Sequence, residues 1–576
     1  TERAEPAARV PVGVLSSASD AELEATQAAL FARMYGATAA LRERFKRNDL
    51  FFQQRHWELT GRRDEATRAG LTPVTPILFS TIDSLHADIM DAYPDVVVLG
   101  ETVDDAQKAA VMTDLLGYIR SRRRYRRVWR DWSLSLLVHG TAVQEVYWDK
   151  TLLGGLGDIN VQHLSVRNFL WDPIVEDIED SEAVFKICFK PAQWVADRYP
   201  DAPASSAGPY GREAFYNDVR FADPSERPVM ITEMWWKQFV SPGNGLVPQP
   251  AVYMARFAGG RLLERFTGET VYAHGRYPFV VTSLVPVEGQ AWGLGIPDLY
   301  GDMQSTVDRL DQILLENAEL SSRVKLLVNH SAQIDENELS DWSASLIHGE
   351  RVDEGAVRWF QPKPLSPHTM ALMQAKMSAL KEESGQNAFV RGEGGKAVTA
   401  ASAIMALQEA GSKRSRNIIS KLYDAAADVA DMMLRLIAEG YTERRTFLIA
   451  GDAAQRTVSA ADTRRADKDA EPIEFSVSVH VEKQVPYRAV YHDERIMQLV
   501  GMGAISPRAA VELMDFDRKD EVLSAIERDD ERQSIIAGLI RQNVQQRAAL
   551  GQPIPALGVA GAAERAGRGA AAEEGI

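Results

Sequence analysis

Between Asp20 and Glu58 the apolar positions Leu23, Leu30, Met34, Leu41 and Phe45 recur at helical spacing among charged residues, which predicts a helix. Thr72-Pro73-Val74-Thr75-Pro76 interrupts the pattern. A second helical run (Ile77, Ile82, Leu85, Ile89) then extends to Pro94. The β-branched Val96-Val97-Val98-Leu99 predicts a short strand. Asp104 is placed to N-cap one long helix through Ala110, Leu115, Leu116 and Ile119, which runs into Arg120, Arg122, Arg123, Arg124, Arg126, Arg127 and Arg130.

From Thr141 to about Val285 the texture changes to short β-prone runs separated by Gly, Pro and Asp: Ala142–Trp148, Ile159–Leu164, Ala183–Phe189, Val229–Phe239, Ala251–Phe257 and Phe279–Leu284. This predicts a mostly antiparallel region with a helical insertion from Pro191 to Tyr199 and a surface loop from Asp201 to Gly211. After Pro297 helices return. Leu299–Leu320 carries the stripe Met303, Val307, Leu310, Leu314, and Thr369–Glu383 carries the seam Met370, Met373, Met377, Leu380. Between them lie strands Arg323–Val328 and Ala356–Phe360 and a short helix Glu336–Ile347. Ser384–Val398 is a loop with Gly385, Gly392, Gly394 and Gly395. The longest helical pattern is Thr399–Glu439, with a kink expected at Gly411-Ser412. Glu471–Val481 alternates as a strand, 493–547 is helical and highly charged, and Gly551–Ile576 is an Ala/Gly/Pro-rich flexible tail.

Composition narrows the classes. The 576 residues are 45% apolar and 25% charged, a globular balance that excludes disorder throughout. The single cysteine, Cys188, excludes an intramolecular disulfide scaffold and any multi-cysteine metal site. No stretch reaches the roughly 18 apolar residues of a spanning helix, so no membrane contact is expected. Thr1–Asp20 lacks the pattern of a secretory signal. A formal charge of −16 argues against gripping nucleic acid over the whole surface, although weak local contact is allowed.

Catalytic motifs are not found. Gly394-Gly395-Lys396-Ala397 comes nearest to a phosphate-binding loop, but Val390 stands where the first glycine belongs and Ala397 where Ser or Thr belongs. Gly293-x-Gly295 and Gly501-x-Gly503 lack a third glycine and read as turns. There is no HExxH helix and no GxSxG elbow. Asp172, Glu176, Asp177, Glu179 and Asp180 could hold calcium, but Pro173 and a missing glycine break the pattern, and a solvated acidic loop is the better reading. No enzyme, metal or cofactor is expected.

The order of these segments resembles the portal proteins of tailed bacteriophages, from about residue 25 to 545. The resemblance is carried by Arg47-Asn48-Asp49-Leu50-Phe51-Phe52 with Trp57-Glu58, by Thr72–Pro76 with the following helix and strand, and by His139-Gly140-Thr141 opening a strand to Trp148. Leu164–Pro173 followed by Asp180–Phe189, and Gly293-Leu294-Gly295-Ile296-Pro297-Asp298-Leu299, complete it. It implies an α+β portal fold: a flexible N-terminus (1–19), a β-rich and helical wing (20–300 and 399–492), stem helices (301–322 and 366–384) and a small α/β clip (323–365). A tunnel loop (385–398), a helical crown (493–547) and a flexible tail (548–576) follow. It further implies a ring of about twelve copies at one capsid vertex of the virion, assembled in the host cytoplasm, through which double-stranded DNA enters and leaves. The implied partners are the terminase large subunit, major capsid and scaffolding proteins, and tail adaptor or connector proteins. The rival readings are a capsid or tail-adaptor protein without a DNA channel, and a packaging motor or nuclease subunit.

The same residues suggest roles within that scheme. Asp308, Asp311, Glu316 and Glu319 would line the channel, since like charge lets phosphate slide without adhering, while a solvated acidic face is the plain alternative. Gln386, Asn387, Arg391 and Lys396 would be the tunnel-loop contacts to DNA, or belong to an ordinary surface loop. Glu336, Glu338, Asp341, Glu350, Arg351, Asp353 and Glu354 would form the clip docking surface. Arg122, Arg123, Arg126, Arg127 and Arg130 would pair with carboxylates of a neighbouring subunit, for which guanidinium forks are suited. The methionine seam fits either an intersubunit contact or an intrachain core stripe.

Overall fold

The computed structural model describes residues 11–59, 72–200, 228–322, 366–384, 413–448 and 455–481 apart from short internal stretches, and 325–360 and 495–528 in part. The chain divides into two units, Thr1–Glu482 and Lys483–Ile576. In the second unit the described residues include a helix at 495–501 within the expected helical range. The predicted loop at 201–211, the tunnel loop, the Gly411-Ser412 kink and the tail lie outside the described residues.

The first helical run is two helices, α1 (Asp20–Ala37) and α2 (Ala39–Phe52), broken at Thr38. Ser19 and Glu22 form a capping box at the start of α1, each side chain taking the other's backbone N–H. The N-terminus expected to be flexible is ordered from Val12: a 3-10 turn, Val12–Ser17, buries Val12 and Leu15.

A five-stranded antiparallel sheet has the order β4 (Phe169–Trp171), β5 (Val184–Lys190), β6 (Val229–Val240), β7 (Gln249–Ala258), β8 (Arg261–Phe266). Both its faces are covered, and the period of two sorts the side chains. Met234 and Trp236 of β6 pack with Leu23, Leu30, Phe31 and Met34 of α1, while Trp235 between them joins the main core on the other side. A second antiparallel sheet runs β3 (Asp158–Leu164), β2 (Thr141–Asp149), β9 (Phe279–Ser283), and a hairpin, β10 (Val285–Val287) with β11 (Gln290–Leu294), follows. The helical insertion is α6 (Ala192–Arg198).

Helix α3 (Ile77–Asp91) leads into β1 (Pro94–Leu99), which pairs with β16 (Ser476–Val481), so the strand near residue 96 finds its partner almost at the end of the first unit. The single helix expected through the arginines is two. α4 (Ala106–Arg122) ends, Arg124 takes left-handed φ/ψ of 52° and 43°, and α5 (Tyr125–His139) begins. The N-cap position of α4 is Asp105, not the expected Asp104. α5 is driven by burial of Trp129, Trp132, Leu136 and Leu137.

Three glycines, Gly140, Gly293 and Gly295, then allow α5 to approach the start of α7 (Ile296–Ser322). Gly140 has φ of 77°, and a Cβ there would lie 2.2 Å from Leu294 C and 2.3 Å from Gly295 N. A Cβ on Gly295 would lie 2.4 Å from Val138 O. The backbones therefore touch where side chains would keep them apart. α7 is antiparallel to α8 (Pro367–Glu383), with Tyr300 Oη donating to Glu383 O at 2.8 Å. Beyond them lie the two expected strands, β12 (Lys325–Val328) and β13 (Val357–Phe360), which pair with each other. α9 (Lys413–Gly440) is amphipathic and buries Leu422, Ala426, Val429, Met433 and Ile437 against the main core. A last hairpin, β14 (Arg445–Leu448) with β15 (Gln455–Val458), was not anticipated.

Candidate functional surfaces

Helix α7 buries Tyr300, Gln304, Val307, Asp308 and Gln312 on one face, and none of its residues past Gln312 is buried. Leu315 is 42% and Leu320 54% exposed. α8 shows the mirror gradient: Leu380 is fully buried and Met377 packs on the core, while Met370 is 56% exposed. The methionine seam is thus an intrachain stripe at one end and an open apolar edge at the other. The two helices leave the body together, with exposed apolar side chains on their outer halves.

The acids of α7 divide accordingly. Asp308 is fully buried, and its Oδ2 lies 2.7 Å from His56 Nδ1. Its Oδ1 accepts from Gln304 Nε2 at 2.8 Å and from Thr75 N at 3.4 Å. Asp308 therefore cannot line a channel; it clamps the 56–75 segment to the base of α7. Its place on the helix face of Gln304 and Gln312 is the signal that could have found this. Asp311 is half-buried and accepts from Thr75 Oγ1 at 3.3 Å, while Glu316 and Glu319 sit half-buried on the projecting half.

The arginine cluster is split by the helix break. Arg123 turns inward: it is ion-paired with Asp158 and donates through Nε to Ile159 O at 3.1 Å, so it is not available to a neighbouring subunit. Arg122 bonds Tyr118 Oη. Arg126 is exposed, its guanidinium 5.7 Å from the centre of the Tyr93 ring. Arg127 and Arg130 share Asp131 at 3.9 and 2.9 Å, all three exposed. Arg120, outside the predicted set, donates to Pro94 O at 2.7 Å and stacks on Tyr93 and Tyr125.

In the predicted clip, Glu338 accepts from His348 N at 2.8 Å, a bond that holds its carboxyl below the usual carboxylate range, with the His348 ring adding to it. Glu350 is exposed. Glu336, Asp341, Arg351, Asp353 and Glu354 lie outside the described residues, as do Gln386, Asn387, Arg391 and Lys396.

The acidic run at 172–180 is solvated only in part: Glu176, Asp177 and Asp180 are exposed, while Asp172 and Glu179 are held in ion pairs. Arg33 bridges Asp172 and Glu182 at 3.3 and 2.7 Å, Glu179 pairs with Lys237, and Asp177 Oδ1 accepts from Glu179 N at 2.9 Å. Among the described residues no cluster suited to a metal ion occurs.

Sequence reasoning missed one buried charge network. Lys186 lies 2.9 Å from Glu145 and 3.1 Å from Glu233, and Arg256 extends it to Glu264 at 2.6 Å. Burial pushes the Glu145 carboxyl up. Burial alone would lower the Lys186 ammonium, but Glu145 and Glu233 outweigh it and hold it up. The network ties β2 of one sheet to β5 and β6 of the other. Its only trace in the sequence is a charged residue within each of three apolar strands.

The model of the phage P22-like portal protein family matches residues 29–574. The chain belongs to that family. It is a portal protein with an α+β fold, of a family that is structural rather than catalytic. Among solved structures, a chain of the virion of a native gene transfer agent particle is 13% identical, covering 79% of this portal chain and 94% of that one, with a TM-score of 0.37. No curated protein matches. Among the described residues of the portal chain, no helix is long and apolar enough to cross a membrane.

Proposed function

We propose that copies of this portal protein close into a ring of about twelve at a capsid vertex and form the conduit for double-stranded DNA during packaging and ejection. The match to a portal family over residues 29–574 carries the reading. The paired projection of α7 and α8 supports a stem: Leu315, Leu320, Met370 and Leu372 are left exposed in one copy and would be covered by helices of the next. Glu316 and Glu319, with Asp311 beside them, would then present repelling charge to the duplex, while Asp308 anchors the stem base. In this scheme 323–365 is the clip, which docks the terminase large subunit during packaging and tail adaptor proteins afterwards. Gln386, Asn387, Arg391 and Lys396 form the tunnel loop, residues 20–300 and 399–492 the wing, and 493–547 the crown; capsid and scaffolding proteins contact the outer wing. Arg122, Arg126, Arg127 and Arg130 serve contacts between copies. The chain works in the virion after assembly in the host cytoplasm, without cofactor, and the terminase supplies the ATP hydrolysis.

Electron microscopy and light scattering of the purified protein test this reading. Closed rings with an axial hole are expected; a monomer under every assembly condition, or unaided ATPase or nuclease activity, would overturn it. Shortening 385–397 should leave rings intact while DNA packaging or retention suffers.

A further inference from the structure

We propose that an arginine-lined cleft at the α4–α5 junction of one copy receives an acidic cleft beside α9 of the next. This lateral contact rests on the ring reading above and names the surfaces that would join its copies.

The basic cleft, of about 620 Å³, is lined by Arg120, Arg124, Arg126 and Arg127 around Tyr93, and Asp95 is the one carboxylate among its lining residues. Helix N-termini favour acidic side chains, because their free N–H groups concentrate positive charge. Yet the first turn of α5 holds no acid and follows Arg124 directly. Arg124 and Arg126 form no ion pair among the described residues, so their positive charge is only partly offset there by Asp95 and by the pairing of Arg127 with Asp131.

The second cleft has the opposite sign. About 750 Å³ in volume, it is lined by Glu176, Asp177, Glu179, Glu288 and Asp428, with Arg276 the one cation among its lining residues. Arg276 is already engaged by Asp431 at 3.4 Å, and Asp431 also takes Arg435 at 2.9 Å. Asp424 and Asp428 are exposed on the same stripe of α9. Partial burial pushes the Asp428 carboxyl up, and Asp431, Asp424 and Asp177 add to it against Arg276.

Their placement suits a head-to-tail contact. Tyr423 Oη donates to Ala92 O at 3.2 Å, next to Tyr93 of the basic cleft. At about 100° per residue, Asp424 and Asp428 lie about 100° and 140° around α9 from Tyr423. The clefts therefore occupy different flanks of the helix. Two different patches of opposite sign make a heterologous interface, the type that closes into rings. Each copy carries −16, so copies repel at long range, and association needs local pairs of this kind. A phosphate backbone would satisfy only the basic cleft; a second copy satisfies both.

The test uses two charge reversals of the full chain: Arg124→Glu/Arg126→Glu/Arg127→Glu, and Glu288→Lys/Asp424→Lys/Asp428→Lys. Sedimentation velocity should show each variant alone assembling at concentrations at least about tenfold higher than the wild type. A 1:1 mixture should recover assembly, because alternating copies restore opposite charges at every contact. Circular dichroism checks folding; where a reversal does not fold, the neutral Arg→Gln and Asp→Asn sets should weaken assembly and reduce its salt dependence. Variants that assemble like the wild type, or a mixture that stays dissociated, overturn the proposal. So does loss of affinity for a duplex oligonucleotide with assembly unchanged, which would assign the basic cleft to DNA. A wild type that never associates instead removes the ring reading itself.

Discussion

His56 and Asp308, 252 residues apart in sequence, meet with His56 Nδ1 2.7 Å from Asp308 Oδ2, both side chains out of contact with solvent. His56 Nε2 lies 3.1 Å from Phe51 O, and Gln304 Nε2 donates to both Thr75 O and Asp308 Oδ1. The end of α2 and the approach to α3 are thereby fastened to α7 just before that helix leaves the body. The carboxylate expected to line the channel is thus the root of the helix.

Removing one partner of a buried, hydrogen-bonded pair strands the other without water. Asp308→Ala should therefore cost about 3–5 kcal/mol, whereas Glu316→Gln, half-buried on the projecting half, should change stability by no more than about 0.5 kcal/mol. Urea midpoints of the two variants decide this. Equal midpoints would mean that the network contributes nothing to holding the stem base.

Lys186 is the counter-ion of two buried carboxylates at 2.9 and 3.1 Å. Lys186→Met leaves Glu145 and Glu233 facing each other without it, at an expected cost of about 3–5 kcal/mol at neutral pH. In the variant Glu145, pushed up by burial and no longer held by Lys186, binds a proton more readily folded than unfolded, while Glu233 keeps Arg256 at 2.9 Å. The deficit relative to wild type should therefore shrink as pH falls toward 5, and a deficit independent of pH would contradict this account.

Burial lowers the His274 imidazole, Arg435 and Arg276 lower it further, and it reaches about 4. Its Nδ1 accepts from Arg276 N at 3.1 Å, the arrangement of a neutral ring. The unfolded chain, with an ordinary value near ~6.5, takes the proton first. Its contribution is therefore whole above about pH 6.5 and falls by up to ~1.4 kcal/mol per pH unit between there and about 4. His274→Gln removes that slope. Melting temperatures of both proteins from pH 7.5 to 4.5 should converge on acidification; parallel curves would show that His274 does not titrate in this window.

The periodic elements were legible. The strands at 96 and 476, the β-rich stretch between Thr141 and Leu284, the α7 and α8 helices and the two strands between them stand where spacing and β-propensity put them. What spacing could not show is direction. Asp308 and Glu316 are both acids on one helix, and only the packing of residues 56–75 separates a buried clamp from a half-exposed carboxylate. Arg123 and Arg126 are three residues apart in one arginine-rich run, yet the left-handed turn at Arg124 sends one to Asp158 and the other outward. The pairing of β1 with β16 depends on a contact across most of the unit, which no local pattern encodes.

The close approach at Gly140 sets where α7 begins, and it can be tested apart from backbone preference. Gly140 and Gly154 both have positive φ, 77° and 68°, but a Cβ on Gly154 meets nothing within 4 Å, whereas one on Gly140 meets Leu294 and Gly295 backbone. Gly154→Ala should lose only the ~1 kcal/mol of a left-handed alanine. Gly140→Ala adds a collision with main chain that no rotamer can relieve, because Gly295 is itself pressed against Val138 O, and should lose at least about 3 kcal/mol. Since β11 passes directly into α7, the collision would also tilt the helix root. Faster hydrogen exchange at the amides of residues 296–304 in Gly140→Ala, absent from Gly154→Ala, is the expected sign. Equal losses in the two variants would leave conformational preference as the whole effect and remove the glycine contact as the positioning element of the stem.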